Sequence, residues 1–472
     1  MQRLLVQEWS LGRIVRAVDG RLVSRRIDVG APKGVTTDTR DLQKGELFFA
    51  LRGERFDGHE FVDDAIRAGA CGVVVEDRSV LSDESAPAIV VDDCIAALGR
   101  LGHALFQQSR QNGLRSVAIT GSNGKTTTKE LAAALWGIDG KVWATPGNLN
   151  NHIGLPLTLC AIPLNCDHLI VEMGANHRGE ISDLINQAPA DQRIVTSIGK
   201  AHLEGFGSIA GVRKAKSEIF ESGARATTAI VPHSERRELI PLNFPGNVFT
   251  FGTESGADIR VVSVESAPDD GLGQMHVRID LGFDVWSLAL PFVGSHNATN
   301  LAAAVATLVG SHSKFDRDEV QQALTDVELP GGRLRTVSVG PLEIMDDAYN
   351  ANPSSMRASY RAFQQWCRNC ERKTVAVIGD MHELGERAEQ AHRSLAQLLT
   401  SGSTLSSVIF VGEFGPAMVD AADGASTTEV LAITELDDIV EWLREQGSAR
   451  VFVKGSRANR LERIITKLDA HF

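Results

Sequence analysis

The chain has 472 residues, enough for roughly two to four domains, and its 43% hydrophobic and 23% charged residues are typical of a globular protein rather than a disordered one. Its net charge of −12 argues against a nucleic-acid-binding protein, which more often carries a basic face. No apolar run approaches the about 20 residues needed to cross a bilayer, so membrane insertion is not expected.

The first segment, residues 1–113, alternates short β patterns with helical spacing. Strands are predicted at GELFFAL (45–51), CGVVVED (71–77) and PAIVVDD (87–93), and helices at HEFVDDAIRAGA (59–70) and about 94–108. The polar, glycine-containing stretch FQQSRQNGLR (106–115) predicts a domain boundary.

The second segment, residues 114–328, has a stronger alternation of strands and helices. Its predicted elements are the strands SVAIT (116–120), HLIVEMG (168–174) and QRIVTSIG (192–199) and the helices KTTTKELAAALWGI (125–138) and NATNLAAAVATLVG (297–310). The continuous apolar character of the strands indicates a sheet buried on both faces. VELPGGRLR (327–335) breaks the pattern and predicts a second boundary.

The third segment, residues 329–472, continues the alternation with four further strand patterns: LEIMDDA (342–348), TVAVIGD (374–380), SVIFVG (407–412) and RVFVKGS (450–456). The chain is therefore predicted to be an α/β protein of three domains, with bounds 1–113, 114–328 and 329–472. The second and third should hold doubly wound parallel sheets, in which ligands bind at the carboxyl ends of the strands.

The stretch SVAITGSNGKTTT (116–128) combines a strand, a glycine turn and a lysine at the start of a helix. The glycines let backbone amides turn toward an anion, and the helix N-terminus adds unpaired donors. Lys125 can reach the β- and γ-phosphates of a nucleotide, and Thr126 can bind Mg²⁺. The usual pattern has another glycine five residues before Gly124, where this chain has Ile119. The stretch predicts a site for the phosphates of ATP or GTP.

Three other polar features of the second segment have both a functional and a structural interpretation. Glu172 ends a predicted strand, where it could bind Mg²⁺ or act as a capping or surface acid. His202 follows another strand, and a lone histidine is more often structural. The amide-rich GNLNNHIGLP (147–156) could bond a phosphate or carboxylate, or only itself.

The helical stretch VRKAKSEIF (212–220) contains Lys214 and Lys216, and a run of charges usually indicates a solvated face. An ammonium group cannot bind Mg²⁺. A lysine that has captured CO₂ becomes an anionic carbamate, and the oxygens of a carbamate can bind Mg²⁺. The residues alone do not select that interpretation.

The cysteines favour a reduced, cytoplasmic compartment, because all six are scattered along the chain and no secretory signal is recognised at its start. CRNC (367–370) has the spacing of a redox motif. No second pair of zinc-binding spacing accompanies it, and the stretch is polar, so a metal or redox role is the less favoured interpretation.

A set of motifs in consistent order resembles the Mur ligases, the ATP-dependent amide-forming enzymes of peptidoglycan precursor synthesis. The motifs are TGSNGKTTT, NLNNHIG, VEMGANHRGEI, KAHLEGFGSIAGVRKAKSEIF, GSHNATNLAAAVA, PGGR, DDAYNANPSSMRAS, GDMHELG and VKGSR. They extend from residue 120 to residue 457, and residues 34–76 are similar to the family's UDP-binding domain. The resemblance thus covers nearly the whole chain. It implies a small UDP-binding domain, a central P-loop ATPase domain and a C-terminal Rossmann-like domain that binds the incoming dipeptide.

The resemblance also implies roles for individual residues. The ATP-binding residues would be Gly121, Ser122, Asn123, Gly124, Lys125, Thr126, Thr127, Asn297, Asn300, Arg333, Asp347, Tyr349 and Asn350. Two Mg²⁺ ions would be held, one by Thr126 and Glu172 and the other by His202 and a carbamylated Lys216. The residues implied in catalysis are Lys125, His202, Lys216 and Arg333, and those implied in substrate binding are Thr37, Asp38, Arg40, Asn150 and Asn151. The family's first-domain motif often reads Asp-Ser-Arg, whereas this chain has Asp38-Thr39-Arg40 and keeps the hydroxyl.

Within the family, DDAYNANPSSM, GDMHELG and EMGANHRGEI are most similar to the members that join D-alanyl-D-alanine to a UDP-muramyl tripeptide through an acyl phosphate. The resemblance implies those two substrates, ATP, a cytoplasmic location and a monomer. Two alternatives stay open: an enzyme of the same fold with another acceptor, and a P-loop ATPase that acts as a partner-binding switch. The N-terminal 113 residues argue against a folylpolyglutamate synthetase-like enzyme, which lacks a UDP-type domain.

Overall fold

The computed structural model of the protein describes residues 9–23, 31–53, 56–82, 87–199, 203–221, 226–266, 274–311, 315–368, 370–401, 405–422, 424 and 427–472. Within these residues the strands form three sheets, one in each of three successive parts of the chain, and helices pack against them. The predicted α/β class with three sheet-based parts is confirmed. The residue bounds of the three domains stay a prediction.

In the described part of the N-terminal region, the sheet has the strand order β1-β5-β4-β3-β2, with β1 antiparallel to β5 and the rest parallel. The elements are α1 (Leu11–Ala17), β1 (Arg21–Val23), β2 (Val35–Thr36), β3 (Leu47–Phe49), α2 (Val62–Arg67), β4 (Gly72–Val75), β5 (Ala88–Val90) and α3 (Cys94–Gln111), with 3₁₀ turns at Gly58–Phe61 and Arg78–Val80. The predicted strands are confirmed at β3, β4 and β5. The predicted helix at 59–70 is divided between a 3₁₀ turn and α2.

Helix α3 joins the first region to the second. It continues to Gln111, inside the stretch that the polar composition assigned to a boundary, and the turn into the next strand comes at Gly113, whose φ is +97°. A Cβ at Gly102 would lie 3.0 Å from the backbone of Pro156, so α3 approaches the central region closely. Because the helix packs on both sides, its polar C-terminal turn is not a flexible linker.

In the described central region, the sheet has the order β14-β13-β12-β11-β10-β9-β6-β8-β7 and is parallel from β7 to β12. Its strands are β6 (Arg115–Thr120), β7 (Val142–Ala144), β8 (His168–Glu172), β9 (Gln192–Val195), β10 (Thr228–Pro232), β11 (Asn247–Gly252), β12 (Ile259–Ser266), β13 (Met275–Asp280) and β14 (Val285–Leu290). Its helices are α4 (Lys125–Trp136), α5 (Gly154–Cys160), α6 (Glu180–Gln187), α7 (Leu203–Phe206), α8 (Ile209–Glu221), α9 (Arg236–Leu239), α10 (Ser295–Ser311) and α11 (Arg317–Thr325), with a 3₁₀ turn at His233–Glu235.

The antiparallel strands β13 and β14 extend the central sheet and were not predicted. They cover one end of the hydrophobic cluster that also contains α4 and α10. Strand β6 lies between two such clusters, because Val117 and Ile119 pack into one and Ala118 into the other. This burial on both faces, which the continuous apolar pattern predicted, fixes the position of the loop that follows β6.

In the described C-terminal region, the sheet has the order β15-β16-β20-β17-β18-β19, parallel except for the pair β15–β16. The elements are β15 (Arg335–Val339), β16 (Leu342–Asp347), α12 (Pro353–Trp366), β17 (Lys373–Gly379), α13 (Ala388–Thr400), β18 (Ser407–Val411), α14 (Gly415–Ala421), β19 (Glu429–Ala432), α15 (Leu436–Glu445), β20 (Ala449–Lys454) and α16 (Glu462–Asp469), with 3₁₀ turns at Gly385–Arg387 and Arg457–Asn459. The carboxyl ends of β16, β17 and β20 lie side by side in this order of strands.

Candidate active site

The loop between β6 and α4 has the backbone geometry of an anion cradle. Gly121 and Gly124 have φ of +146° and +82°, which only glycine adopts readily. A Cβ at Gly124 would lie 2.3 Å from Oδ1 of Asn300, so glycine is also required by the close approach of α10. Among the described residues no side chain caps α4, and the amides of its first turn therefore remain available to a ligand.

Lys125 is the first residue of α4, and its side chain folds back over the loop. Its Nζ donates a hydrogen bond to the carbonyl oxygen of Gly121 at 2.9 Å. Burial lowers the pKa of Lys125 and the charge of Arg333 lowers it further, whereas Glu172 and Glu383 act in the opposite direction. A poorly hydrated ammonium in this position gains from contact with an anionic ligand.

Thr126 and Glu172 form the second part of the site, at the carboxyl end of β8. The Thr126 hydroxyl donates to Glu172 Oε2 at 2.7 Å, and the Asn150 amide donates to Oε1 at 2.7 Å. Glu172 is only 3% exposed, and in the described part of the chain no ion pair involves it. A buried carboxylate whose contacts are neutral, next to a hydroxyl and an amide, is a suitable set of oxygen donors for a hard cation such as Mg²⁺.

Arg333 brings a cation from the start of the C-terminal region to the phosphate loop. Its Nη2 lies 3.3 Å from the Thr126 hydroxyl oxygen. Its guanidinium stacks on the Tyr349 ring at 3.6 Å from the centroid, and Arg457 lies 5.9 Å from the same centroid. Tyr349 thus holds the guanidinium plane of Arg333 in one orientation.

Asn123 connects the phosphate loop to the N-terminus of α12. Its Oδ1 accepts a hydrogen bond from Asn352 Nδ2 at 2.8 Å, and its Nδ2 donates to Ser354 Oγ at 2.9 Å. The backbone amide of Asn123 donates to Ser197 Oγ at 3.0 Å. The side chain is therefore engaged with the third region, a contact that the sequence did not predict.

Lys454 lies at the carboxyl end of β20 and supports the residues after β16. Its Nζ contacts Asp347 Oδ2 at 2.5 Å and donates to the Asn350 carbonyl at 2.9 Å. Lys454 and Arg457 both belong to the motif VKGSR, but the sequence predicted no role for either residue. Their position after a buried strand was the available signal.

These residues surround one cavity of about 800 Å³ between the central and C-terminal regions. The candidate residues that line it are Ser122, Asn123, Gly124, Lys125, Thr126, Thr127, Asn150, Asn151, Glu172, Asn297, Asn300, Arg333, Asp347, Tyr349 and Asn350. Residues that line it without having been predicted include Glu180, His296, Asn352, Ser354, Lys454 and Arg457. The strands and loops of two regions therefore bring nearly all the candidate ATP-site residues to one place.

The candidate residues of the first region lie elsewhere. Thr37, Asp38 and Arg40 follow β2 and do not line the cavity. Arg40 Nε donates to Asp38 Oδ1 at 2.9 Å, and the Arg40 side chain is largely exposed. Their proposed contact with a UDP group stays a prediction. His202 lies outside the described residues.

The structure separates the two lysines of α8. Lys214 is exposed, whereas Lys216 is 1% exposed and lies with its Nζ 5.5 Å from the centroid of the Phe206 ring. Burial, followed by the charge of Lys125, lowers the pKa of Lys216 to about 7. Among the described residues its ammonium has no ion-pair partner. Lys216 does not line the cavity itself but is close enough to Lys125 to be affected by its charge.

All six cysteines are free thiols. Cys367 follows the last residue of α12, and burial raises the pKa of its thiol to about 12. This is opposite to the lowered pKa of a reactive redox cysteine. In the part of the chain that the structure describes, no cluster of three His, Cys, Asp or Glu side chains is arranged to hold a metal, and no helix combines the length and apolarity of a membrane span.

Three family models match successive parts of the chain. The model described as "Mur ligase family, catalytic domain" matches residues 32–107, "Mur ligase middle domain" matches residues 119–308, and "Mur ligase, glutamate ligase domain" matches residues 332–457. The chain therefore belongs to the Mur ligase family, and the residues that match the middle-domain model include the phosphate loop described above.

Full-length relatives have the same organisation. The chain is 34% identical over 460 residues to the UDP-N-acetylmuramoyl-tripeptide–D-alanyl-D-alanine ligase of Bacillus subtilis, covering 96% of this chain and 97% of that protein. The crystal structure of MurF from Acinetobacter baumannii superposes with a TM-score of 0.85 at 30% identity, covering 98% of this chain and 99% of that one. MurF from Thermotoga maritima, in complex with ADP, gives a TM-score of 0.78 at 27% identity and covers 93% and 97% of the two chains. The predicted family and three-domain fold are confirmed.

Proposed function

We propose that the protein is the ATP-dependent ligase that joins D-alanyl-D-alanine to UDP-N-acetylmuramoyl-tripeptide, giving the UDP-muramyl pentapeptide, ADP and phosphate. The observation that carries the proposal is the single cavity in which Lys125 and Thr126 of the phosphate loop meet Glu172 and Arg333. The names of the full-length relatives support the choice of substrates, and the ADP complex of a similar structure supports the nucleotide.

The reaction requires the tripeptide carboxylate to be activated, because oxide is not a viable leaving group. Transfer of the γ-phosphoryl group of ATP to the carboxylate oxygen gives an acyl phosphate and ADP. The amine of the dipeptide then attacks the acyl carbon, and the tetrahedral intermediate loses phosphate to give the amide. Lys125 and Arg333 offset the repulsion between the anionic carboxylate and the triphosphate, and their fixed positions reduce the entropic cost of alignment.

We assign Thr126 and Glu172 to one Mg²⁺ site, because their oxygens meet around a buried carboxylate that has no cationic partner in the described chain. Bound Mg²⁺ would neutralise phosphate charge at that position. For a second Mg²⁺ we propose His202 and carbamylated Lys216. Only a neutral amine captures CO₂, and the pKa of Lys216 of about 7 leaves much of it neutral at physiological pH.

The remaining assignments concern the rest of the ATP site and the first region. Asn297, Asn300, Asp347, Tyr349 and Asn350 line the cavity and are proposed to contact the nucleoside part of ATP. Thr37, Asp38 and Arg40 are proposed to bind the UDP group of the muramyl substrate. Asn150 and Asn151, which line the cavity, are proposed to bind another part of the same substrate. We further propose that the protein acts as a cytoplasmic monomer.

The proposal is tested by measuring phosphate release with UDP-muramyl tripeptides and D-alanyl-D-alanine, followed by mass spectrometry of the product. Phosphate should be released only when both substrates are present. Lys125→Ala should abolish the reaction, whereas Lys141→Ala, which removes an exposed lysine of the same region, should leave it intact. Phosphate release that needs neither substrate, or a product of unchanged mass, would exclude the ligase.

The carbamate has its own test. Lys216→Ala should lose activity that short carboxylic acids partly restore, and the exposed Lys214→Ala is the matched control. Mass spectrometry of the intact protein under native conditions should detect the added CO₂ in the wild type and not in Lys216→Ala. Full activity of wild-type protein prepared without CO₂ would contradict the carbamate.

A further inference from the structure

Helix α12 lines the cavity with four small residues. Ser354, Ser355, Ala358 and Ser359 form this surface, which we call the α12 face. Positions 354 and 358 are one helical turn apart, as are 355 and 359, so the four residues make a continuous strip along the helix. The ATP, magnesium and muramyl assignments use no residue of the α12 face, although it lies in the same cavity.

Ser359 differs from the other serines of the α12 face. It is only 3% exposed, yet in the part of the chain that the structure describes its hydroxyl makes no hydrogen bond. The hydroxyls of Ser354 and Ser355, by contrast, both donate to Asn352. A buried hydroxyl is rarely left without a partner, and a serine inside a helix often bonds the carbonyl four residues earlier. Because Ser359 lines the cavity, its hydroxyl is available to a ligand there.

The α12 face leads away from the phosphate loop. In the first turn of the helix, Ser354 Oγ accepts a hydrogen bond from Asn123 Nδ2 at 2.9 Å. Ser359 comes five residues later, which is about 7.5 Å further along the axis at about 1.5 Å per residue. An extended dipeptide has nearly the same length, about 7 Å at about 3.3–3.6 Å per residue. A dipeptide on the α12 face can therefore reach the phosphate loop with one end and Ser359 with the other.

The incoming substrate of the proposed reaction matches this surface in size and in polarity. Its amine must reach the acyl phosphate, which forms where the γ-phosphate of ATP is held, and its carboxylate then points away from the phosphate loop. Its two side chains are methyl groups, for which a strip of serine and alanine leaves room. The first-region residues and Asn150 and Asn151, proposed for the muramyl substrate, lie outside the C-terminal region that carries α12.

Arg457 supplies positive charge on the wall of the cavity to which α12 belongs. The helix packs against β20, where the rings of Phe363 and Phe452 stack with centroids 5.4 Å apart. Arg457 lies in the turn after β20 and lines the cavity. Its pairing with Glu462 at 3.1 Å is largely exposed and therefore contributes little stability. The charge of Arg457 thus favours an anionic group on this side of the cavity.

We propose that the α12 face binds the incoming dipeptide and that the Ser359 hydroxyl donates a hydrogen bond to its carboxylate. The amine of the dipeptide then lies beside the phosphate loop, and Ala358 gives the methyl side chains their space. Ser359 is a substrate-binding residue in this arrangement, and Ala358 limits the size of the side chains accepted. The inference rests on the proposed function, because it assigns the dipeptide subsite of the same reaction.

The experiment is steady-state kinetics of Ser359→Ala with each of the three substrates varied in turn. Loss of a hydrogen bond to a charged group should raise the KM for D-alanyl-D-alanine by about 10- to 100-fold. The KM values for ATP and for the UDP-muramyl tripeptide should stay within about twofold. D-Alanyl-D-alaninamide has a neutral group in place of the carboxylate, so its KM should rise in the variant by less than about threefold. An unchanged KM for D-alanyl-D-alanine, or equal increases for the acid and the amide, would overturn the inference.

Two further variants separate the hydroxyl from the shape of the α12 face. Ala358→Leu fills the strip and should raise the KM for D-alanyl-D-alanine more than that for the smaller D-alanylglycine. Gln365→Ala, which alters an exposed residue of the same helix, should behave as wild type. The unfolding temperature of Ser359→Ala should match that of the wild type, since alanine fits a helix at least as well as serine. Equal increases of all three KM values in Ser359→Ala, or an unaffected dipeptide KM in Ala358→Leu, would contradict the proposed subsite. Wild-type protein that makes no product would instead refute the proposed function itself.

Discussion

Replacement of Asn123 by alanine tests whether the phosphate loop and the C-terminal region are held together by its side chain. The substitution removes the hydrogen bonds to Asn352 Nδ2 and Ser354 Oγ, at 2.8 and 2.9 Å. It leaves the loop backbone supported, because the Asn123 amide donates to Ser197 Oγ. Each neutral hydrogen bond contributes about 0.5–1.5 kcal/mol, so the arrangement in which the phosphate loop contacts the N-terminus of α12 should lose about 1–3 kcal/mol. This corresponds to a decrease of about 5- to 150-fold in kcat/KM if the reaction proceeds from this arrangement.

The assay is phosphate release coupled to amide formation, with Ser354→Ala and the double variant measured in parallel. Ser354→Ala removes only one of the two contacts of Asn123 and should cost about half as much. Because the two residues share that contact, their effects should not add, and the loss of activity in the double variant should equal that of Asn123→Ala alone. The thermal unfolding temperature should change little. Additive effects in the double variant, or an unaffected kcat/KM in Asn123→Ala, would refute the reasoning.

Two further predictions concern stability. Gly124→Ala should lower the unfolding temperature and weaken ATP binding, because alanine is strained at φ of +82° and its Cβ would lie 2.3 Å from Asn300 Oδ1. The control is Gly12→Ala in helix α1, where a Cβ meets nothing within 4 Å and the unfolding temperature should not fall. Equal unfolding temperatures for the two variants would contradict the steric argument. In CO₂-free buffer Lys216 should make the free energy of unfolding rise with pH between about 7, its folded pKa, and its ordinary value of 10.5, since the unfolded chain binds the extra proton in that range. Relative to Lys216→Met, the free energy of unfolding should rise by at most about 1.4 kcal/mol per pH unit, as measured by denaturant unfolding. If the free energy of unfolding has the same pH dependence in both proteins, the pKa of Lys216 is not lowered.

The strand patterns of the sequence predicted half of the strands that the structure describes, because the apolar residues of a strand buried on both faces are consecutive. Among the strands that were missed, β13 and β14 have alternating buried and exposed residues, as in MHVRID (275–280). The continuous apolar pattern that indicates a parallel strand does not describe this alternation. The stretch 106–115, which predicted a boundary, is occupied as far as Gln111 by the C-terminal part of α3.

The sequence by itself determined the phosphate loop. One short stretch contains a strand, two glycines and Lys125 at the first turn of a helix, and these together define the backbone geometry of an anion site. It could not decide between Lys214 and Lys216 on physical grounds, because burial depends on what packs against α8. It also could not predict that Asn123 contacts residues 229 and 231 positions away, or that Arg333 reaches Thr126 across 207 positions. Those contacts depend on the relative placement of two separately folded sheets. That placement results from packing over many residues, whereas the loop depends only on the conformations of a few adjacent ones.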